Sequence, residues 1–260
     1  MKRSAAVAVV MTIVLSFVSS LACAGIGARV YGGLTHISYS DYNEWVDDAN
    51  EELGVGENLD NMKWVPEFGG ELYYSVAPMF EIGLGAGMIL GSTEYSFSEL
   101  TSFIDFNHKM KAFPISANLY FRPSVPFVSM KPYLYGGGGM YYSRLDFGFK
   151  ISDGTDTWGY DAELSTWGFG IHGGGGMEFS IAPTFSLDIG FRVRWADISG
   201  YEGSATNTDG ETIDVFLVGD TDGDGDAIYD IAPLEDKADY DEGSVDLTGF
   251  TIYIGFKAGF

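Results

Sequence analysis

The sequence predicts an all-β protein, a single closed antiparallel up-and-down β-barrel of eight strands that crosses a membrane. Three observations lead there. Apolar and polar residues alternate with period two over runs of about 9–11 residues, the length a tilted strand needs to cross a bilayer. The connections between these runs alternate between short proline-bearing turns and long acidic stretches. The composition, with 36 Gly, 16 Tyr and 46% hydrophobic residues in a chain of 260, is too apolar for disorder and leans to glycine- and tyrosine-rich β structure.

The first 24 residues read as an export signal. Lys2 and Arg3 form a positive start, Ala5 to Val18 an apolar stretch, and Ala22-Cys23-Ala24 a small-residue cleavage site before Gly25. Lipid attachment at Cys23 is disfavoured, because Leu21 stands two residues before it rather than three. Cys23 is the one cysteine, so the mature barrel domain, 25–260, has no disulfide framework and no multi-cysteine metal site.

Eight strands follow, at residues 26–37, 67–77, 79–91, 109–122, 132–145, 163–180, 184–197 and 246–260. The alternation is clearest where Phe185, Leu187, Ile189, Phe191, Val193 and Trp195 oppose Ser186, Asp188, Gly190, Arg192 and Arg194. It recurs where Phe80, Ile82, Leu84, Ala86, Met88 and Leu90 oppose Glu81, Gly83, Gly85 and Gly87. The turns fall at Ala77-Pro78, 123–131 and Ala182-Pro183, where proline is tolerated because it has no N–H to give a ladder. The long connections fall at 38–66, 92–108, 146–162 and 198–245, and short turns on one side with long loops on the other are the habit of outer-membrane barrels. Within the last loop, Thr212–Val218 and Ala227–Ile231 read as an extracellular hairpin; as two further wall strands they would make ten.

The chain also repeats itself. Tyr74-Ser75-Val76-Ala77-Pro78-Met79-Phe80 matches Phe179-Ser180-Ile181-Ala182-Pro183-Thr184-Phe185, which suggests a duplicated hairpin. Gly136–Gly139 echoes Gly173–Gly176, and a hairpin symmetric about Asp156 would set these two runs face to face, making room for curvature or for bulky neighbours.

Charge separates along the chain. Residues 198–246 hold 15 acids and one base, and 38–66 hold eight acids and one base, so two loops carry nearly all of the net charge of −23. Such a chain is a poor partner for nucleic acid. On the inward face, Glu71, Glu81, Glu178 and Asp188 meet Arg29, Arg122, Arg192, Arg194 and Lys257 in near balance. Buried charges persist only when paired, so an interior salt-bridge ladder is expected, the alternative being solvated side chains in a wider lumen. At eight strands side chains about fill the interior, which counts against a wide pore.

A cleavable leader, eight alternating strands and a terminal Phe260 preceded by Ile252, Ile254, Phe256 and Ala258 resemble the small outer-membrane barrels of the OmpA-like and opacity-protein type. The resemblance implies residence in the bacterial outer membrane, contact with its lipid, recognition of the last strand by the barrel assembly machinery, and a monomer. The last loop is longer than such barrels usually need, and a peptidoglycan-binding domain is not expected.

Three stretches invite chemistry. Asp220, Asp222, Asp224 and Asp226, with Gly225 at the sixth position, are spaced as in a calcium loop, but Ile231 stands where a bidentate Glu belongs and Asp230 would have to substitute; an acidic turn is the plainer reading. No other cofactor is implied. His172 faces the lumen near Ser165, Ser180 and Glu178, yet no spacing assembles nucleophile, base and acid, so a hydrogen-bonded structural histidine is expected and an enzyme is not. His36 and His108, near loop ends, carry less signal still. Gly83-Leu84-Gly85-Ala86-Gly87 lacks the strand-turn-helix of a nucleotide site. Tyr73, Tyr74, Tyr120, Tyr133, Tyr135, Tyr141, Tyr142, Trp167 and Trp195 read as aromatic girdles. The expected function is therefore structural or interactive, with acidic loops offered to divalent cations or a partner; the alternative is a narrow channel for ions or small solutes, with OmpW-like passage of small hydrophobic compounds behind it.

Overall fold

The computed structural model describes residues 25–53, 60–99, 102–123, 130–221, 227–237 and 241–259. The expected leader, most of the calcium-like loop and Phe260 lie outside them. Thirteen strands appear among the described residues: β1 (Ile26–Ile37), β2 (Trp64–Ala77), β3 (Phe80–Glu99), β4 (Ser102–Phe121), β5 (Met130–Ser152), β6 (Thr157–Ala182), β7 (Phe185–Trp195), β8 (Asp197–Ser199), β9 (Glu202–Asn207), β10 (Thr212–Thr221), β11 (Ala227–Pro233), β12 (Ser244–Asp246) and β13 (Gly249–Gly259). One helix, α1 (Ser40–Leu53), follows β1.

Eight of these strands form a ring. Each of β1 to β7 pairs antiparallel with the next, β7 pairs with β13, and β13 returns to β1 through a register that sets Arg29 opposite Lys257. The hairpin β10–β11 pairs with β9 instead of entering the ring, so the wall has eight strands and not ten. No described helix is long and apolar enough to cross a membrane, and in lipid a ring of strands satisfies its backbone without one.

The repeated motif builds the same turn twice. Beside Pro78 the ladder shifts between Ser75 and Ala77, and beside Pro183 it shifts between Ser180 and Ala182, an identical one-residue bulge in each hairpin. The β5–β6 hairpin turns at 153–156, where Gly154 takes φ +90° and the Asp153 carboxylate accepts the N–H groups of Thr155 and Asp156 at 2.9 Å. That turn centres the register between residues 154 and 155, not on Asp156. Gly136 meets Gly173, but Gly137, Gly138 and Gly139 meet His172, Ile171 and Gly170, so the two glycine runs overlap at one rung only.

Stretches expected to be loops prove to be strand. β3 and β4 run on through 92–99 and 102–108, and β5 and β6 through 146–152 and 157–162, as long hairpin legs. The upper leg of β6 leaves β7 and pairs with β9, which extends the sheet through β10 to β11 beyond the ring. The expected loop 38–66 contains α1, whose Tyr42 and Val46, one turn apart, are fully buried.

Along one strand the inner and outer faces exchange character. On β4, Ile115 and Leu119 point outward and are more than half exposed, while Asn118 is buried inside; four residues up, Met110 and Ala112 are the buried inward residues, and Lys109 and Lys111 point out. An apolar outer face suits hydrocarbon and a polar one suits water. The exchange near Phe113 therefore marks a membrane surface. On β5 and β6 it falls near Tyr142 and Trp167, above which Arg144 and Glu163 follow outward. Beyond that surface the legs, α1, β8, β9, β10 and β12 enclose an apolar core including Ile37, Val46, Leu145, Leu164, Ile198, Val215 and Leu247.

Candidate functional site

The inward residues of the ring stack as three charged layers. At the turn end, Arg122 bonds Glu81 at 2.6 Å and also Glu178, and Lys257 bonds Glu178 at 2.9 Å and Glu81 at 3.3 Å. In the middle, Arg29 lies between Glu71 at 2.5 Å and Asp188 at 2.7 Å. Toward the loop end, Glu67 takes Arg192 on one carboxylate oxygen and Arg194 on the other, both at 2.6 Å. The backbone register prepares the middle layer directly, since Arg29 sits opposite Glu71.

Tyrosines complete the layers. Tyr120 and Tyr133 donate to Glu71 and Asp188 at 2.6 Å each, and the Tyr133 and Tyr253 hydroxyls lie 2.9 Å apart. Thr35 and Thr251 donate to Glu67 at 2.7 and 3.0 Å. Tyr73, Tyr120, Tyr133, Tyr135 and Tyr141 are thus interior residues and not girdle, a correction to the sequence reading; Tyr74, Trp167 and Trp195 do face outward. Glycines on neighbouring strands make the space. A Cβ on Gly190 would lie 2.5 Å from the Tyr253 hydroxyl and 2.8 Å from that of Tyr133.

All nine expected ladder residues lie in this network; Glu67, which holds its upper layer, went unnoticed. It stands at the first residue of the expected strand 67–77, next to the acidic stretch 38–66, and its inward parity is the only signal. Asn118 donates to Glu71 at 2.8 Å, which leaves its Oδ1 to accept from His172 Nε2 at 2.6 Å. His172 is thereby a link in the lumen network, bonded to an amide and not to Ser165, Ser180 or Glu178. His36 stacks on Phe250 at the rim. His108 is buried in the outer core, where the Tyr39 hydroxyl lies 2.7 Å from its Nε2. Its pKa is pushed down to about 3 because burial penalises the imidazolium.

Asp222, Asp224 and Asp226 fall outside the described residues, as does the side chain of Asp220, and Asp230 accepts a hydrogen bond from Tyr160 at 2.9 Å. On β13, Ile252, Ile254 and Phe256 face outward, whereas Ala258 is covered and its carbonyl accepts from Tyr73 at 2.8 Å. Among the described residues, no group of three or more His, Cys, Asp or Glu is arranged to hold a metal ion.

Comparisons with known proteins find both solved structures and a family. Among solved structures, the chain is similar to a major outer membrane protein from Thermus thermophilus, with 12% identity and a TM-score of 0.49 over 90% of this chain and 99% of that one. It is similar to Neisserial surface protein A, NspA, with 12% identity and a TM-score of 0.42 over 91% and 98%. It is also similar to Ail, the attachment invasion locus protein of Yersinia pestis, with 13% identity and a TM-score of 0.39 over 91% and 98%. No curated protein matches the sequence. The family described as the outer membrane protein beta-barrel domain matches residues 7–219, most of the chain, and the protein belongs to that family of the bacterial outer membrane.

Proposed function

We propose that this barrel is a plugged, non-conducting outer-membrane protein whose role is structural and interactive. Its lumen holds the wall together and its acidic outer loops face the surroundings. The observation that supports this is the filled lumen: each of the five inward cations is bonded to a carboxylate, in three successive layers. A buried charge stripped of its partner costs far more than the pair contributes, which keeps such layers shut. Above them the apolar core lies over the loop end.

Refolded protein, shown to be folded by heat-modifiable gel migration, should leave a planar bilayer silent. Arg192→Ala should lower stability by leaving Glu67 short of one partner. Steady ion-selective openings of the wild type, or an Arg192→Ala barrel of unchanged stability and altered selectivity, would make the protein a narrow channel instead. The spacing of Asp220, Asp222, Asp224, Asp226 and Asp230 supports calcium as a loop ligand, tested by titrating Ca²⁺ into the refolded protein; absence of millimolar binding ends that part. The outward row Ile252, Ile254 and Phe256 supports uptake of β13 by the assembly machinery, and a single ring sealed by β1 and β13 supports a monomer.

A further inference from the structure

One face of the outer sheet continues past its cover. Directly opposite residues of antiparallel strands share a face, so three rungs can be followed up the legs of β4, β5 and β6. The lowest, His108, Phe147 and Ala162, is buried in the outer core. The next, Phe106, Phe149 and Tyr160, is partly covered: the ring of Trp45 on α1 lies 5.3 Å from that of Phe106, and Asp230 on β11 accepts from the Tyr160 hydroxyl at 2.9 Å. The third, Ile104, Ile151 and Trp158, is apolar too, yet Trp158 is 59% exposed, with its ring 5.7 Å from that of Phe149 below it.

Trp158 is not a girdle residue. It stands nine residues along β6 from Trp167, about 30 Å of strand beyond the level where the outer face turns polar. The turns around it carry acids. Asp153 and Asp156 lie in the β5–β6 turn, and Asp209 and Glu211 in the β9–β10 turn, which is held beside Trp158 by a bond from the Thr208 N–H to the Gly159 carbonyl at 3.2 Å. With Asp230 below, these five carboxylates form no ion pair among the described residues. Lys150, on the same hairpin, points to the opposite face of β5, where it meets Asp161 at 3.0 Å.

From this geometry we infer that the upper ends of β4, β5 and β6 dock a cationic, amphipathic segment of a partner polypeptide. Its apolar side chains cover Ile104, Ile151 and Trp158, and its Lys or Arg side chains meet the carboxylates of the two turns. Burial of the uncovered rung favours any apolar cover, and the charge around the rung decides which cover fits. A second copy of this chain would bring −23 against −23. An acidic segment is repelled in the same way, whereas an ammonium or guanidinium group gains both the carboxylates and the face of the Trp158 ring. Exposed tryptophan is also the side chain that most often carries the affinity of an interface. The inference deepens the interactive half of the proposed function and rests on it, but it does not depend on whether the lumen conducts.

The test is fluorescence anisotropy of a labelled amphipathic peptide of about 14 residues, built from Leu and Lys, added to the full barrel in phosphatidylcholine nanodiscs, with empty nanodiscs as the blank. The wild type should bind it saturably above the blank, and a peptide of the same charge built from Ser and Lys at least about tenfold more weakly. Trp158→Ser, verified as folded by heat-modifiable migration, should weaken binding by at least about tenfold. Asp156→Asn/Asp209→Asn should weaken it severalfold, while Glu94→Gln/Glu163→Gln, the same loss of charge on the outward face, should leave it within about twofold. No binding above the blank, an unchanged affinity in Trp158→Ser, equal binding of the Ser and Lys peptide, or equal weakening by the two acid pairs would overturn the proposal. Pairing of wild-type barrels in sedimentation that Trp158→Ser abolishes would overturn it too, by giving the face to a second copy. Openings in a planar bilayer would instead remove the plugged lumen and leave the peptide result standing.

Discussion

Arg29 and Ile198 are both shielded from solvent, at 3% and 0% exposure, yet opposite forces hold them. Arg29 sits in the membrane-level lumen, between two carboxylates and under tyrosine hydroxyls. Ile198 sits in the outer core among Leu145, Leu164, Leu247 and Tyr201. The difference follows from what lies outside each wall. Hydrocarbon takes the apolar residues of the ring outward, so the inward positions are left to polar groups that must satisfy one another. Water surrounds the hairpin legs, so there the hydrophobic effect sends apolar residues inward as in any soluble domain. β4 passes through both regimes without changing its parity.

The largest effect should come from Arg29→Ala, which strands Glu71 and Asp188 in the lumen and should cost about 3–5 kcal/mol in urea unfolding of the barrel; a loss under about 1 kcal/mol would mean that water enters the lumen and solvates the acids. Ile198→Ala should cost about 2–4 kcal/mol through a cavity in the outer core. Amide exchange should localise that loss to β8–β12 and the upper legs, leaving the ring protected, and equal deprotection of both would show one cooperative unit.

Acid should act on the outer core through His108. Its folded pKa of about 3 lies below the unfolded value of about 6.5, so between these pH values the unfolded chain holds a proton that the folded one lacks. The contribution is full above pH 6.5 and is lost as the pH falls toward 3, on the order of a few kcal/mol. His108→Phe should flatten the stability profile in that window, and an unaltered slope would assign the acid sensitivity to other groups. The smallest effect belongs to Lys237, which bridges Glu202 at 2.7 Å and Glu242 at 2.8 Å on the surface. Lys237→Ala should change stability by less than about 1 kcal/mol, and less again in high salt.

Much of the lumen is legible in the sequence, because residues that share parity on a membrane strand share a face. Arg29, Glu71, Asp188, Arg192 and Lys257 are inward for that reason alone. Glu67 and the interior tyrosines were harder to read. A tyrosine is as suitable for a girdle as for a network, and only the neighbouring strand shows whether a glycine leaves room for its ring. α1 left a trace in the i, i+4 spacing of Tyr42 and Val46, which the surrounding acids obscured. The hairpin legs beyond the membrane look like loops in the sequence because their alternation exchanges its sense at the surface, where the apolar residues turn inward.

Read alone, the sequence sets the class of fold, which face of the clearest strands meets lipid, the two proline turns at Pro78 and Pro183 and where the negative charge collects, while eight strands and ten stay open. Period-two alternation and proline placement are local properties, written residue by residue. The partners come from the assembled ring: that the wall has eight strands, that the β5–β6 turn sets Gly136 against Gly173 and not run against run, that one Glu67 serves two arginines, and that β6 leaves β7 for β9. Each of these depends on register between segments distant in the chain. A one-residue slip there exchanges every inward side chain for an outward one, and the outcome is settled by the summed packing and pairing of all the strands together.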